Sequence, residues 1–320
     1  MSAPVRMQPS RIQISAPGSF MVAGEHAVLR GYSAVVAAAQ HRITVELRAR
    51  ADDAIIVESQ LGSCHMRTNA LETQKPFHFV GGAIRAAGVQ NTAKGFDLSI
   101  EADMPPDVGL GSSAAVTVAV YAAVHAYLHG SVPANDVLWR ACRDVVRAVQ
   151  GNGSGADAAA AVYGGVLLYK QDEGVCAQLA TKLPEASLYY VGYKTPTADV
   201  IRMVENNRLQ SLDLFRELDR RMEGATQLAA AAIRADDIIA LEHALRNAQD
   251  VLQQYGVCDT KLNELIGLLL RQEGILAAKI SGSGLGDCVL TLGHVEDPAV
   301  IPFRQIPVTV DPVGFVAELK

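Results

Sequence analysis

Pro105-Pro106-Asp107-Val108-Gly109-Leu110-Gly111-Ser112-Ser113-Ala114-Ala115 decides how the rest of this 320-residue chain is read. A double proline suits neither a helix interior nor a central strand. A Gly-x-Gly-Ser-Ser turn follows, and an alanine-rich apolar run from Ala114 to Leu128 begins at once. The pattern predicts a loop that enters a buried helix at its N-terminus. The first backbone N–H groups of a helix have no partner within it and lie at the positive end of its dipole, so this end favours an anion. Gly109 and Gly111 let the backbone approach a phosphate closely, while Ser112 and Ser113 can cap the helix, bind phosphate oxygens or offer a hydroxyl to Mg²⁺. The spacing is neither a Walker loop nor a dinucleotide fingerprint, and an ordinary serine-capped helix fits the same residues.

Upstream, Arg11 to Ser15 alternates like a short strand and runs into a turn at Ala16-Pro17-Gly18. Glu25 and His26 then sit between apolar runs, directly after Gly24, where they could orient a small polar substrate or cap a turn. Ser33 to Ala39, Arg42 to Arg50, Ile55 to Glu58 and Phe96 to Glu101 read as strands, and Lys75 to Gly88 reads as a helix. Downstream, a helix from about Asp136 to Gln150 ends in Gly151-Asn152-Gly153-Ser154-Gly155-Ala156-Asp157. Asp157 opens a second alanine-rich helix. It is a helix cap on one reading and the best general-base candidate in the chain on the other.

From Gly164 the pattern changes. Val166 to Lys170 and Ser187 to Val191 read as strands, Asp199 to Gly224 and Ala225 to Leu252 as long helices, and Thr260 to Glu273 as a third. A boundary between residues 165 and 185 divides the chain into units of residues 1–175 and 176–320. A third glycine stretch, Lys279-Ile280-Ser281-Gly282-Ser283-Gly284-Leu285-Gly286-Asp287-Cys288, precedes an apolar strand. It has more glycine than a hairpin needs and suits an anion-binding nest.

Composition narrows the function classes. Apolar residues make up 49% and charged residues 19%, as in a well-packed globular protein, and the length favours two domains sharing a cleft. A net charge of −6 argues against nucleic acid or an anionic membrane as main partner. A small polyanion in a local pocket stays compatible with it, and homodimer formation stays open. The five cysteines are scattered, without a Cys-x-x-Cys pair, and read as reduced thiols of a cytosolic protein. No membrane span or signal-peptide pattern is seen.

Taken together and in this order, the glycine stretches resemble the GHMP kinase superfamily, whose members phosphorylate small metabolites with ATP and Mg²⁺. PPDVGLGSSAA is similar to that family's ATP-phosphate loop, GNGSGAD to its aspartate region and KISGSGLGDCV to its C-terminal glycine motif. With APGSFMVAGEHAVLRGY, the resemblance spans nearly the whole chain. GEHAVLRG looks like the mevalonate kinases and SGSGLGDC like bacterial phosphomevalonate kinases; ATP-dependent decarboxylases share the fold. The resemblance implies an α+β protein of two domains, the N-terminal one like ribosomal protein S5 domain 2 and the C-terminal one ferredoxin-like, with the site between them. It implies that Gly109, Leu110, Gly111, Ser112, Ser113 and Ala114 hold ATP, with Gly282, Ser283 and Gly284 closing the site. It also implies that Ser113 ligates Mg²⁺ and that Asp157 orients or deprotonates the acceptor hydroxyl. Ser19, Glu25, His26 and Thr197 would line the substrate.

The chain departs from the family pattern twice. Ser19 stands where mevalonate kinases carry a lysine that neutralises charge during transfer. The family's acidic Mg²⁺ ligand falls on Val146, and Asp144 lies roughly 200° round the helix from it. Phosphoryl transfer depends on positioning and charge stabilisation, so a cation from elsewhere can serve, and Lys194 is the candidate.

Overall fold

The computed structural model describes residues 11–90, 92–104 and 108–320. The double proline and Asp107 of the glycine loop, like the first ten residues, lie outside the described residues. The chain is α+β in two domains, each an antiparallel-rich sheet covered by helices.

The first domain begins with β1 (Arg11–Ala23) and β2 (Ser33–Ala49), which pair antiparallel along nearly their whole lengths. Ala16-Pro17-Gly18 does not end the first strand as expected. Proline lacks an N–H, and two residues on the Ser19 N–H donates to the Leu110 carbonyl at 2.9 Å; the strand has a register shift between Pro17 and Gly18 and runs on. The two strands expected over 33–50 are likewise one, because each half of β2 finds its own partner. Its second half pairs with β5 (Phe96–Ala102) and its first with β6 (Val166–Lys170). With β3 (Ala54–Ser59), β4 (Gly62–Arg67), β7 (Gly174–Ala180) and β12 (Val316–Leu319), the sheet has eight strands. The chain therefore leaves this sheet only after Ala180 and returns to it at its C-terminal end.

Helices α1 (His78–Ala86), α2 (Ser112–His129), α3 (Asn135–Gln150) and α4 (Ala156–Tyr163) belong to this domain. Helix α2 is apolar all round, and its alanines allow close packing against β1, β2, α1 and α3. Such a helix must be buried. That burial drives its N-terminus, and the glycine loop with it, into the middle of the molecule.

The second domain is a four-stranded antiparallel sheet in the order β11-β8-β10-β9, from β8 (Ala186–Lys194), β9 (Ile275–Ser281), β10 (Gly286–Gly293) and β11 (Arg304–Val308). Three helices stand where two long ones were expected: α5 (Thr197–Gln210), α6 (Leu212–Ala235) and α7 (Ile238–Gln254), followed by α8 (Thr260–Leu269). Apolar periodicity runs through both breaks. The backbone breaks at Ser211, and again at Asp236 in a left-handed conformation, after which the Asp237 side chain caps α7 by accepting from the Ile239 and Ala240 amides. One apolar core continues from the large sheet into α6, α7 and β10, so the domains are packed on each other.

Candidate active site

The first and third glycine stretches, far apart in sequence, meet where the domains join, and Asp157 at the end of the second reaches them through Ser19. Gly111 precedes α2 with φ 62°, and a Cβ placed on it would fall 2.0 Å from Ser19 Oγ. Gly109 has φ 67°, and a Cβ there would fall 1.9 Å from Asp287 Oδ1. A side chain at either position would be strained by the left-handed backbone and would crowd Ser19 or Asp287, which is why glycine suits both. The loop is thus pressed between Ser19 of β1 and Asp287 of β10. The Cys288 thiol, donating to the Val108 carbonyl at 3.1 Å, fixes it from the same side.

Asp157 is the second residue of α4, half-buried, and its Oδ1 accepts from Ser19 Oγ at 2.8 Å. Ser19, 1% exposed, therefore contacts both the glycine loop and the aspartate. Lys194, at the end of β8, reaches Asp287 Oδ2 with its Nζ at 3.1 Å and keeps about a third of its side chain exposed. Burial alone would lower the Lys194 pKa, but Asp287 outweighs it and, with Asp157 adding to the pull, holds it above the ordinary value. Burial pushes the Asp287 carboxyl up, and the Lys194 charge opposes that shift. Asp157, Lys194 and Asp287 form one electrostatic group, with Ser19 and the loop around it.

Glu25 and His26 occupy a different part of the junction. Glu25 Oε1 accepts from Lys279 Nζ, which also donates to the Ile280 carbonyl; both side chains are at most 3% exposed. Glu25 Oε2 and Ser283 Oγ are buried with no hydrogen-bond partner among the described residues. His26 has φ 60° and ψ −48°, at the centre of a γ-turn closed by Ala27 N–H to the Glu25 carbonyl at 2.7 Å. A non-glycine residue held there is strained. It is kept in place by Nε2, which donates to the Ser283 carbonyl at 2.9 Å, and by edge-on contact with Tyr255. Burial lowers its pKa to about 4, so the imidazole is neutral.

Thr197 begins α5 half-buried, and its neighbour Thr195 donates to the Leu285 carbonyl at 2.5 Å, tying that helix start to the third glycine loop. Val146 lies beside Gly153 and offers no oxygen; Asp144 is 62% exposed and paired with Arg143 at 2.9 Å. Sequence reading named Asp287 and Lys279 only as flanks of the loop. It missed the clamp in which Arg30, the last residue of the 3-10 turn Ala27–Arg30, binds Asp219 of α6 at 2.7 Å and Glu205 of α5 at 2.9 Å. Nothing local in the sequence pairs residues so far apart. A separate open hollow of about 730 Å³ on the large sheet, lined by residues including Ser15, Arg42, Glu58 and Glu101, holds none of the motif residues.

Among the described residues no group of three or more His, Cys, Asp or Glu is placed to hold a metal. The oxygens at hand still suit a hard cation that shares its shell with phosphates: the Ser113 hydroxyl at the start of α2, and Asp287 Oδ1, buried and unpartnered among the described residues.

Comparison with known proteins agrees with this geometry. The GHMP kinases N terminal domain matches residues 78–165 and the GHMP kinases C terminal domain residues 229–301. Mevalonate kinase of Aeropyrum pernix is 30% identical over 305 residues, covering 88% of this chain and 89% of that enzyme. Among solved structures, L. major mevalonate kinase in complex with R-mevalonate superposes with a TM-score of 0.78 at 21% identity, covering 98% of this chain and all of that one. Streptococcus pneumoniae phosphomevalonate kinase, bound to phosphomevalonate and AMPPNP, gives 0.72 at 18% identity, with 90% and 93% covered. The motifs, the two-domain architecture and these similarities converge: the chain belongs to the GHMP kinase family and is a kinase.

Proposed function

We propose that this kinase is cytoplasmic and transfers the γ-phosphoryl group of ATP to the 5-hydroxyl of mevalonate. The observation that carries the reading is the Ser19–Asp157 hydrogen bond directly behind the glycine loop, which puts an oriented carboxylate beside the place made for phosphates. Membership of a kinase family implies the use of ATP, and the archaeal relative named mevalonate kinase supports the acceptor.

With Oδ1 held by Ser19, Asp157 presents Oδ2 to an acceptor hydroxyl and takes up its proton as the oxygen attacks in line. The N–H groups of Ser112 and Ser113, opening α2, face the anion at the positive end of the helix. Lys194 supplies the positive charge that Ser19 cannot, coming from the second domain rather than from β1. ATP would supply the phosphoryl group, and Ser113 would hold a divalent cation whose charge offsets that of the phosphates. Gly282 to Gly284 close the site from the C-terminal domain, and Glu25, His26 and Thr197 form the acceptor end.

A second acceptor, 5-phosphomevalonate, is favoured by one feature: the Ser281–Cys288 stretch carrying Asp287 is like that of bacterial phosphomevalonate kinases. The test is ADP release by purified protein with Mg²⁺-ATP and mevalonate, 5-phosphomevalonate, homoserine or galactose in turn, with CO₂ followed in parallel. ADP with mevalonate alone is the expected result. ADP with 5-phosphomevalonate alone reassigns the acceptor, CO₂ release identifies a decarboxylase, and silence with all four rejects the reading. Sedimentation of the same preparation distinguishes monomer from homodimer.

A further inference from the structure

We infer that Asp287 is a metal ligand, its Oδ1 taking the divalent cation that accompanies the nucleotide, so that the carboxylate on the cation comes from the C-terminal domain. The inference rests on the kinase reading above.

The two oxygens of Asp287 are not equivalent. Oδ2 is held by Lys194 at 3.1 Å, whereas Oδ1 is buried with no hydrogen-bond partner among the described residues, in a residue 3% exposed. That free oxygen is aimed at the glycine loop, where a Cβ on Gly109 would fall 1.9 Å from it. The backbone is committed to this aim. Asp287 has φ 73°, unusual for a residue other than glycine, and the pairing of β10 with β8 breaks register between Gly286 and Cys288.

A buried carboxylate oxygen without a partner is costly, and a carboxylate facing a loop that binds phosphates repels them. A divalent cation lodged between carboxylate and phosphate removes both penalties. One or two carboxylates, completed by phosphate oxygens and water, are the usual protein share of such a shell. Lys194, by holding Oδ2, leaves Oδ1 as the single donor atom and keeps it pointed at the loop. Asp157, the neighbouring carboxylate in the cleft, has its Oδ1 taken by Ser19, and Asp144, two residues from the family's ligand position at Val146, faces solvent and Arg143.

The probe is Mn²⁺, followed by electron paramagnetic resonance and titrated into the full-length protein saturated with a non-hydrolysable ATP analogue. Asp287→Asn is expected to weaken Mn²⁺ binding in the ternary complex on the order of tenfold or more, since even partners one shell further out cost that much. The same variant in EDTA is expected to bind the analogue at least as tightly as the wild type, because a like charge has left the loop. Asp287→Ser removes the same carboxylate and serves if the Asn variant unfolds, with circular dichroism melts showing which variant is folded. Unchanged Mn²⁺ affinity in a folded variant overturns the inference alone. A loss of analogue binding in EDTA as large as the loss with Mn²⁺ also overturns it, by making Asp287 a packing residue of the loop. Wild-type protein that binds no analogue overturns the kinase reading, and this inference with it.

Discussion

Ser19 Oγ donates to Asp157 Oδ1 at 2.8 Å, joining β1 to the first turn of α4 at the place where mevalonate kinases carry a lysine. A serine there orients the aspartate but adds no charge. In the proposed mechanism, orientation and charge neutralisation are divided between two residues, Ser19 and Lys194, on different domains.

Asp157→Asn keeps the shape of the site and removes the proton acceptor. Turnover should fall ~10²–10⁴-fold, the range expected for loss of a general base, while nucleotide affinity stays near that of the wild type. Steady-state kinetics with equilibrium binding of the ATP analogue check this. Near-normal turnover would take Asp157 out of the mechanism.

Ser19→Ala leaves Asp157 Oδ1 without its donor but creates no new contact with Gly111. A hydrogen bond to a charged group contributes about 1.5–3 kcal/mol, so kcat should drop roughly tenfold or more, with the KM for ATP little changed. An equal rise in KM at constant kcat would mean that Ser19 shapes nucleotide binding instead.

Lys194→Ala removes the cation that stands between Asp157 and Asp287. Turnover should fall roughly a hundredfold, as for loss of one donor stabilising transition-state charge. Lys194→Arg should recover part of it. Unchanged turnover in the alanine variant would end the idea that Lys194 compensates for Ser19.

Lys279→Met strands Glu25 in a fully buried position. Breaking a buried ion pair from one side costs about 3–5 kcal/mol, and the double variant Glu25→Gln, Lys279→Met should regain much of that. Urea denaturation of the three variants measures it. If the single and double variants are equally unstable, the pair does not bolt the domains as its geometry implies.

His26 makes stability fall in mild acid. The unfolded chain takes up a proton near the ordinary value of 6.5, whereas the folded protein resists protonation down to about 4. Between these values the unfolded state binds more protons, so the stability is fully present above pH 6.5 and is lost as pH falls toward 4. Denaturation curves should show a loss of about 2 kcal/mol between pH 7.5 and pH 5 that is missing from His26→Asn. Identical pH dependence in both proteins would show that the imidazole is not held neutral by burial.

Much of the site was legible because its chemistry is backbone chemistry. Gly109, Gly111 and the serines after them announce a helix start suited to an anion, and Asp157 after three glycines announces a carboxylate at another. The helix breaks at Ser211 and Asp236 were not legible, since apolar periodicity carries through both and the caps use residues common elsewhere on helices. The contacts of Glu25 Oε1 with Lys279 and of the His26 ring with Ser283 were not legible either, because both partners come from the second domain.

By itself the sequence determined the fold class, the family and the identity of the glycine loops, all of which depend on residue type and near spacing. Only the tertiary structure decided what stands beside what. Lys194 and Asp287 lie 93 residues apart and meet at 3.1 Å because they end neighbouring antiparallel strands of the second sheet, and Ser19 reaches Asp157 because α4 packs on β1. Such pairings are set by how the two sheets and the buried α2 pack against one another. That packing depends on burial of the apolar core as a whole and leaves no signature in any local stretch of the chain.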